Sequence, residues 1–421
     1  MCTPKIKMAS NEFQPLLGMS DITAPEIYLW RMIESRARTL FLAYGYEELR
    51  TPSLEKLKVF TRSIGDTTDV VQKEMYAFKD RGNREIALRP EGTAGAIRHL
   101  AGRGEEGRNA RVFYMAPMFR CERPQAGRKR QFHQVGIEAT GEPNPLADAE
   151  CIALQQQLLE TWGLKGSKIK INTRGTKEDQ KAVFENIHRL LNDHRADLCE
   201  DCQRRMDENV LRVIDCKNEA CQRIVATLPE MKSFMSVESQ TYLDTVIETL
   251  NQMGIEVEYD PSLVRGLDYY LHTVWEITHD ALGAQNSIAG GGRYEITLGK
   301  KALPGVGFAM GIERVVTSLN ACGITAEQFA PSGGIWLVSL GAEALKENMK
   351  LARTLRGMGV RCGMELSEKS MKAQMRKANK MEAEKVIIRG EEELKNKTLL
   401  VKNFADGTQQ ELKIEELNTI L

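Results

Sequence analysis

The chain has no net charge to speak of: 58 lysines and arginines stand against 58 aspartates and glutamates. A strongly basic footprint is therefore missing, and any binding of nucleic acid must use local patches. No apolar run is long enough to span a bilayer, and residues 1–11 are polar, without the hydrophobic core of a secretory signal. The nine cysteines are scattered, and without a signal they read as reduced thiols rather than a disulfide framework. Also absent are a phosphate-loop lysine motif and a His-Glu-x-x-His pair. Gly305 and Gly307 miss the dinucleotide-fold spacing, because Met310 stands where its third glycine belongs. A soluble, cytoplasmic protein that touches no membrane is expected.

With 421 residues the chain is too long for one compact core, so two or three domains are expected. Thr23 and Glu26 have capping-box spacing, with Pro25 in the first turn. Ile27, Trp30, Ile33, Ala37, Leu40, Phe41 and Tyr44 then recur at helical spacing up to Gly45. An extended piece follows into Pro52. From Glu85 the pattern turns strand-like; residues 112–115 form an apolar run expected to be buried on both faces, and 131–139 reads as the returning strand of an antiparallel hairpin. Ile169 and Ile171 mark another strand. A charged helical block then occupies 174–254, and alternation resumes at Ile255, Val257 and Tyr259. The simplest reading is a mixed sheet domain, 1–173 and 255–325, interrupted by a helical insertion. Residues 320–334, with Pro331 and Gly333-Gly334, read as a linker. Beyond it, in 333–421, strands at 335–340, 360–364 and 386–388 alternate with helices at 342–357 and 368–381, which predicts a small parallel-sheet α/β domain. Asp406-Gly407 supplies a hairpin turn.

The hairpin carries the chemistry. Arg120, Arg123, Arg128, Lys129 and Arg130 crowd its loop, opposed only by Glu122. The two-residue period of the returning strand places Phe132, Gln134, Gly136 and Glu138 on one face, and His133, Val135, Ile137 and Ala139 on the other. The second face looks like core. The first joins an aromatic plate, an amide, a glycine and a carboxylate, which suits a small polar ligand. Arg120 is opposite in parity to Phe113, Met115 and Phe119, so it can point away from the core, and its planar fork suits phosphate.

Phe119-Arg120-Cys121-Glu122, the run from Gly127 to Gln134, and Glu138 resemble the second motif of class II aminoacyl-tRNA synthetases, and within that class the histidyl-tRNA synthetases. Leu88-Arg89-Pro90-Glu91-Gly92-Thr93 and Leu263-Val264-Arg265-Gly266-Leu267-Asp268-Tyr269-Tyr270 resemble signatures of that family. The stretch from Gly305 to Arg314 resembles the third motif of the class, and the first helix with its extended piece resembles the first, which forms a dimer interface. The resemblance runs in order over nearly the whole chain.

It implies an α+β catalytic domain, an antiparallel sheet flanked by helices, with a helical insertion, followed by an α/β anticodon-binding domain, in a homodimer. It also implies activation of L-histidine by ATP with Mg2+, release of pyrophosphate, and transfer to the 3′ end of tRNA(His). Arg120 would then hold the α-phosphate and Arg314 the distal phosphates. Glu122 and Arg128 would place ATP, and Phe132 would stack on adenine. Arg265 would add positive charge between the α-phosphate and the histidine carboxylate. Glu138, Tyr269 and Tyr270 would face the imidazole; Glu91, Gly92 and Thr93 would face the ammonium group, with Gln134 nearby. Tyr294, in Gly290-Gly291-Gly292-Arg293-Tyr294, would approach the imidazole, although Glu295 departs from the usual aspartate, and Lys129 replaces a common aromatic. Arg123 and Gln125 would meet the acceptor end of the tRNA. Lys369, Lys372, Arg376 and Lys380 share a helical face in the domain that would read the anticodon.

Cys199-x-x-Cys202 and Cys216-x4-Cys221 are separated by thirteen residues in the helical block. Four thiolates can close a tetrahedral zinc site, but the second pair is loosely spaced and reduced, unligated thiols are the preferred reading. His133 shares parity with Val135 and Ile137 and reads as a packed histidine rather than a base. A carboxylate substrate is already nucleophilic at neutral pH, so no base is needed. The rival from another functional class is a catalytically silent regulatory paralogue; Arg120, Arg265, Arg314, Glu91 and the last domain all argue against it. A synthetase for threonine, proline or glycine is disfavoured by the block from Arg265 to Tyr270 and by Glu138.

Overall fold

The computed structural model describes residues 13–65, 68–124, 127–208, 210–214, 216–263, 267, 269–298 and 302–420. They form two compact units, Met1–Phe329 and Ala330–Leu421.

The first unit begins with α1 (Glu26–Ala43), β1 (Glu47–Glu48), β2 (Leu54–Lys56), α2 (Leu57–Ile64), β3 (Ala77–Lys79), β4 (Glu85–Leu88) and α3 (Thr93–Ala101). The hairpin β5 (Arg111–Phe119) and β6 (Gln131–Thr140) follows, then α4 (Pro145–Trp162) and β7 (Ser167–Thr173). After these come α5 (Lys177–Asn192), α6 (Glu200–Glu208), α7 (Leu211–Ile214), α8 (Glu219–Val225) and α9 (Val237–Gln252). The unit closes with β8 (Glu258–Tyr259), β9 (Tyr270–His279), β10 (Ser287–Thr297), β11 (Ala302–Gly311) and α10 (Ile312–Ala321).

Eight strands make one sheet in the order β1-β5-β6-β11-β10-β9-β7-β8. Its six central strands pair antiparallel, and only the short edge strands β1 and β8 pair parallel. Alternation decides what each face does. Val135 and Ile137 of β6 pack with Leu29, Ile33 and Phe41 of α1, Leu154 and Leu158 of α4, and Val315 and Leu319 of α10 in the main core. The intervening residues of β6 therefore point to the opposite face, which α1, α4 and α10 do not cover.

Helix α1 departs from expectation at its start. No side chain caps it; the carbonyl of Thr23 accepts from Ile27 N–H, and Glu26 accepts from Trp30 Nε1 at 3.1 Å. An indole thus takes the carboxylate that a capping box would use. The expected linker is also partly ordered structure: Ala326–Phe329 is a short 3-10 turn with Ala326 buried, and Arg36 lies over the Phe329 ring.

The described residues between β7 and β8 are helical or irregular, without a strand. Helices α5 to α8 surround a small core of Val183, Ile187, Met206, Val210 and Val213, whereas α9 sends Leu243, Val246 and Leu250 into the main core.

The second unit contains β12 (Ile335–Ser339), α11 (Ala342–Gly357), β13 (Cys362–Met364), α12 (Met371–Lys380), β14 (Lys385–Arg389), α13 (Glu391–Asn396), β15 (Thr398–Asn403) and β16 (Gln409–Lys413). Its sheet runs β13-β12-β14-β15-β16. The first three strands are parallel, but β15 and β16 return antiparallel, so the sheet is mixed rather than parallel. The reversal comes at β15, which follows the short helix α13 and runs antiparallel to β14, and the hairpin turn at Asp406-Gly407 then leads back from β15 into β16. α12 starts later than expected because Ser370 caps it, accepting from Ala373 N–H; Lys369 precedes the helix. α11 covers one face of the sheet and α12 the other.

Candidate active site

The free face of β6 meets β5 on one side and β11 on the other, and the register defines two rows of neighbours. One row places Val112, Glu138, Gly307 and Gly292 side by side; the next places Tyr114, Gly136, Ala309, Gly290 and Glu276. Glycine in these rows makes room. A Cβ on Gly307 would lie 2.3 Å from Glu138 Oε2, and one on Gly136 would lie 2.6 Å from the Tyr114 hydroxyl.

Glu138 is the chemical centre of the first row. It is 1% exposed, and burial pushes its carboxyl up to about 8, with the negative Glu91 adding to the rise. The Tyr114 phenol donates to Glu138 Oε1 at 3.3 Å, and the Tyr294 hydroxyl and the Thr93 side chain also bear on the same carboxyl, though Oε2 and the Tyr294 hydroxyl lack a partner of good geometry. Buried polar atoms of this kind ordinarily have partners. Tyr269 stands edge-on to both Tyr270 and Tyr294, with centroids 4.7 and 5.9 Å away. A carboxylate and a ring of phenols therefore line one small polar recess.

Glu91, Gly92 and Thr93 lie where β4 gives way to α3. Glu91 accepts from the N–H groups of Thr93 and Ala94 at 2.8 and 2.7 Å, which fixes its carboxylate at the start of the helix. Burial raises its pKa, offset by those same bonds. Gly92 N–H donates to Gln134 Oε1 at 3.2 Å and ties this loop to β6.

Toward the hairpin loop the same face opens into a cleft of about 300 Å³ lined by Arg120, Glu122, Arg128, Phe132, Glu276 and Arg314 among others. Arg120 is held at its Nε by the Pro90 carbonyl, 2.9 Å away, and its guanidinium lies over the Phe132 ring at 5.3 Å. Arg128 pairs with Glu122 at 3.1 Å. Arg314, at the start of α10, donates to the Gly127 and Ser287 carbonyls. Burial and then the nearby Arg128 lower its pKa. Arg120, Arg128, Lys129 and Arg314 line the cleft together with Glu122, Glu276 and Glu313, and guanidiniums held in place in this way suit a polyanion.

Of the residues singled out in the sequence, Arg120, Glu122, Arg128, Phe132, Gln134 and Arg314 share this cleft, and Glu138, Tyr269, Tyr270 and Tyr294 line the adjoining recess. Arg265 and Gln125 lie outside the described residues. Tyr294 joins the recess despite its altered neighbour, because Glu295 points the other way and ion-pairs with Lys177. Sequence reasoning missed Tyr114 and Glu276. Tyr114 was hidden inside an apolar run, although it pairs directly with Gly136. His133 is half-buried; its Nδ1 lies 3.1 Å from Glu313 and its ring edge meets Trp30. The sulfurs of Cys199, Cys202, Cys216 and Cys221 come together away from this face, in the inserted helices.

An antiparallel sheet backed by helices, with an arginine-lined cleft on its open face, is the catalytic fold of class II aminoacyl-tRNA synthetases. Residues 18–315 match the sequence model of histidyl-tRNA synthetase, and residues 335–421 that of an anticodon binding domain. Histidine--tRNA ligase of Halothermothrix orenii is 41% identical over 405 residues, covering 95% of this chain and 96% of the relative. That of Clostridioides difficile is 41% identical over 407 residues, covering 95% and 96%. The structure of apo S. aureus histidyl-tRNA synthetase aligns with a TM-score of 0.80 at 32% identity, covering 96% of this chain and 98% of that one. The chain belongs to the histidyl-tRNA synthetase family.

Proposed function

We propose that the ligase activity of this family, ATP-dependent joining of histidine to tRNA, runs on the open face of β6. The observation that carries the reading is a buried carboxylate, Glu138, set among tyrosines and two rows from a cleft of arginines on the same strand face. The recess accepts the imidazole: Glu138 takes a ring N–H, and the phenols supply the remaining hydrogen bonds. A site built around such groups rejects apolar side chains, because its buried polar atoms would be left without partners. Glu91 and Gln134 receive the ammonium group.

ATP occupies the cleft, with adenine against Phe132, the α-phosphate at Arg120 and the distal phosphates at Arg314 and Arg128. The histidine carboxylate attacks the α-phosphorus, the bond to the bridging oxygen breaks, and pyrophosphate leaves with that electron pair. Both reactants are anions, so fixed cations do most of the work. By the family resemblance alone, Arg265 would add positive charge for the α-phosphate and the histidine carboxylate. A divalent cation, Mg2+, suits the carboxylates of Glu276 and Glu122, which offer hard oxygen ligands, and it would neutralise phosphate charge when bound. The terminal ribose hydroxyl of tRNA(His) then attacks the adenylate carbonyl and expels AMP.

We also place the active form in a cytoplasmic homodimer. Leu16 and Leu17 before α1, Leu42 within it and Leu54 after it are exposed, and pairing with a second copy would cover them. No helix among the described residues is long and apolar enough to cross a membrane. The test is pyrophosphate exchange with every proteinogenic amino acid in turn: exchange is expected with histidine alone. Exchange with none returns the chain to the regulatory reading; sedimentation as a monomer removes the dimer.

A further inference from the structure

The densest group of reactive side chains outside the active site lies among the inserted helices. Cys199 precedes α6 and Cys202 sits in its first turn; Cys216 follows α7, and Cys221 sits in the first turn of α8. Their four Sγ atoms all lie within 4.8 Å of one another, and those of Cys199 and Cys216 are 3.9 Å apart. A tetrahedron built on Zn–S bonds of about 2.3 Å has edges of roughly 3.8 Å. The sulfurs are therefore within a small contraction of that geometry, although they come from segments thirteen residues apart.

Ordinary packing is the competing account, since cysteine is a small hydrophobe and Cys202 and Cys221 are fully buried. Packing explains burial but not convergence. Cys199 is only partly buried, yet its sulfur joins the others. Two backbone groups also aim at the cluster: Cys199 N–H donates to Cys221 Sγ at 3.3 Å, and Asn218 N–H donates to Cys216 Sγ at 3.4 Å. Such bonds spread thiolate charge and orient the ligand.

The local energetics point the same way. α6, α7 and α8 are nine, four and seven residues long, too short to stand alone in water. They pack around a local cluster of their own, separate from the main core, in which the cysteines are members. Small assemblies of this kind are commonly stapled by a disulfide or a structural metal.

We propose that Cys199, Cys202, Cys216 and Cys221 bind one zinc ion as a structural tetrathiolate that fastens the start of α6 to the start of α8. On binding, the four thiols release their protons to solvent and the site carries two net negative charges. All four positions are filled by protein, so the metal has no open site for substrate.

The test uses the full chain, purified under reducing conditions without chelator. Elemental analysis is expected to give about one zinc per chain, released in step with mercurial modification of four thiols. Cys199→Ser/Cys202→Ser loses that zinc, whereas Cys322→Ser, at an exposed cysteine elsewhere, keeps it. Because the double variant can fail to fold, the unaltered chain is also loaded with Co2+, which should show the sulfur-to-metal charge-transfer absorption of a tetrahedral thiolate site. A folded, zinc-free chain whose clustered thiols react as fast as Cys322 overturns the proposal. So does zinc retained by the double variant, or failure of the reduced chain, once stripped of zinc, to take up cobalt.

Discussion

Glu138 shows how much one side chain can set. Its carboxyl is pushed from 4.5 to about 8 by burial, so the folded apo chain holds a proton there that the unfolded chain gives up. The resulting contribution to stability is fully present below about pH 4.5 and is lost as pH rises through about 8. Glu138→Gln removes that dependence: against the parent, its stability should gain a few kcal/mol between pH 5 and pH 8.5, at most. Urea midpoints at those two pH values measure it, and parallel shifts in both proteins would contradict it. Binding shows the other side of the same burial. Glu138→Ala is expected to raise the histidine KM roughly 10- to 100-fold while the ATP KM holds; an equal rise in both would remove Glu138 from the pocket. Arg265→His should cut histidine-dependent pyrophosphate exchange by about 100-fold or more with the fold unchanged by circular dichroism, and a parental rate would take Arg265 out of the chemistry. Parity alone made Phe132, Gln134 and Glu138 legible in the sequence, because a half-open strand alternates. It could not reveal Tyr114 or Glu276. Each reaches the site only through lateral pairing, which sequence separation conceals.

At the scale of elements, β10 divides its duties between its two faces. Tyr294 points to the recess, while its neighbour Arg293 points into the helical layer, where its Nε donates to Asp148 of α4 at 2.7 Å. Both are almost wholly buried, and the Tyr242 hydroxyl of α9 donates to the same carboxylate. Removing one partner strands a buried charge. Asp148→Ala should therefore cost about 3–5 kcal/mol, read as a fall in the urea midpoint, and a loss below about 1 kcal/mol would show that water already screens the pair. The glycines of β11 act through space instead. Gly307→Ala would press a methyl group to within 2.3 Å of Glu138 Oε2 and 2.4 Å of the Ile137 carbonyl. The expected result is a loss of 1–3 kcal/mol, of the order found for overpacking, together with weakened histidine binding in isothermal titration. Helical periodicity located α1 well because its buried stripe is long. The capping box failed because Trp30 competes for Glu26, and the second sheet was read as parallel because alternation of strand and helix does not fix the direction in which β15 re-enters beside β14.

Across the whole molecule the two units carry different kinds of information. The first concentrates buried charge and fixed cations around the recess and cleft of β6; the second offers an exposed basic surface with little buried chemistry. On α12, Gln374 and Ala378 turn inward, and Gln374 clamps the backbone of Ser339 through both ends of its amide, whereas Lys372, Arg376 and Lys380 remain exposed. A chain with no net charge needs such a local patch to hold a polyanion, because its overall field neither attracts nor repels one. The triple variant Lys372→Glu/Arg376→Glu/Lys380→Glu should fold normally, since none of these side chains supports the core. Pyrophosphate exchange, which needs no tRNA, should continue at the parental rate. The KM for tRNA should rise about 10-fold or more, and the salt dependence of tRNA binding should flatten by about two to three units of slope, as three lost phosphate contacts require. If exchange falls as well, the two units are energetically coupled. If the tRNA KM and salt slope stay at parental values, this helix face meets solvent rather than the anticodon arm.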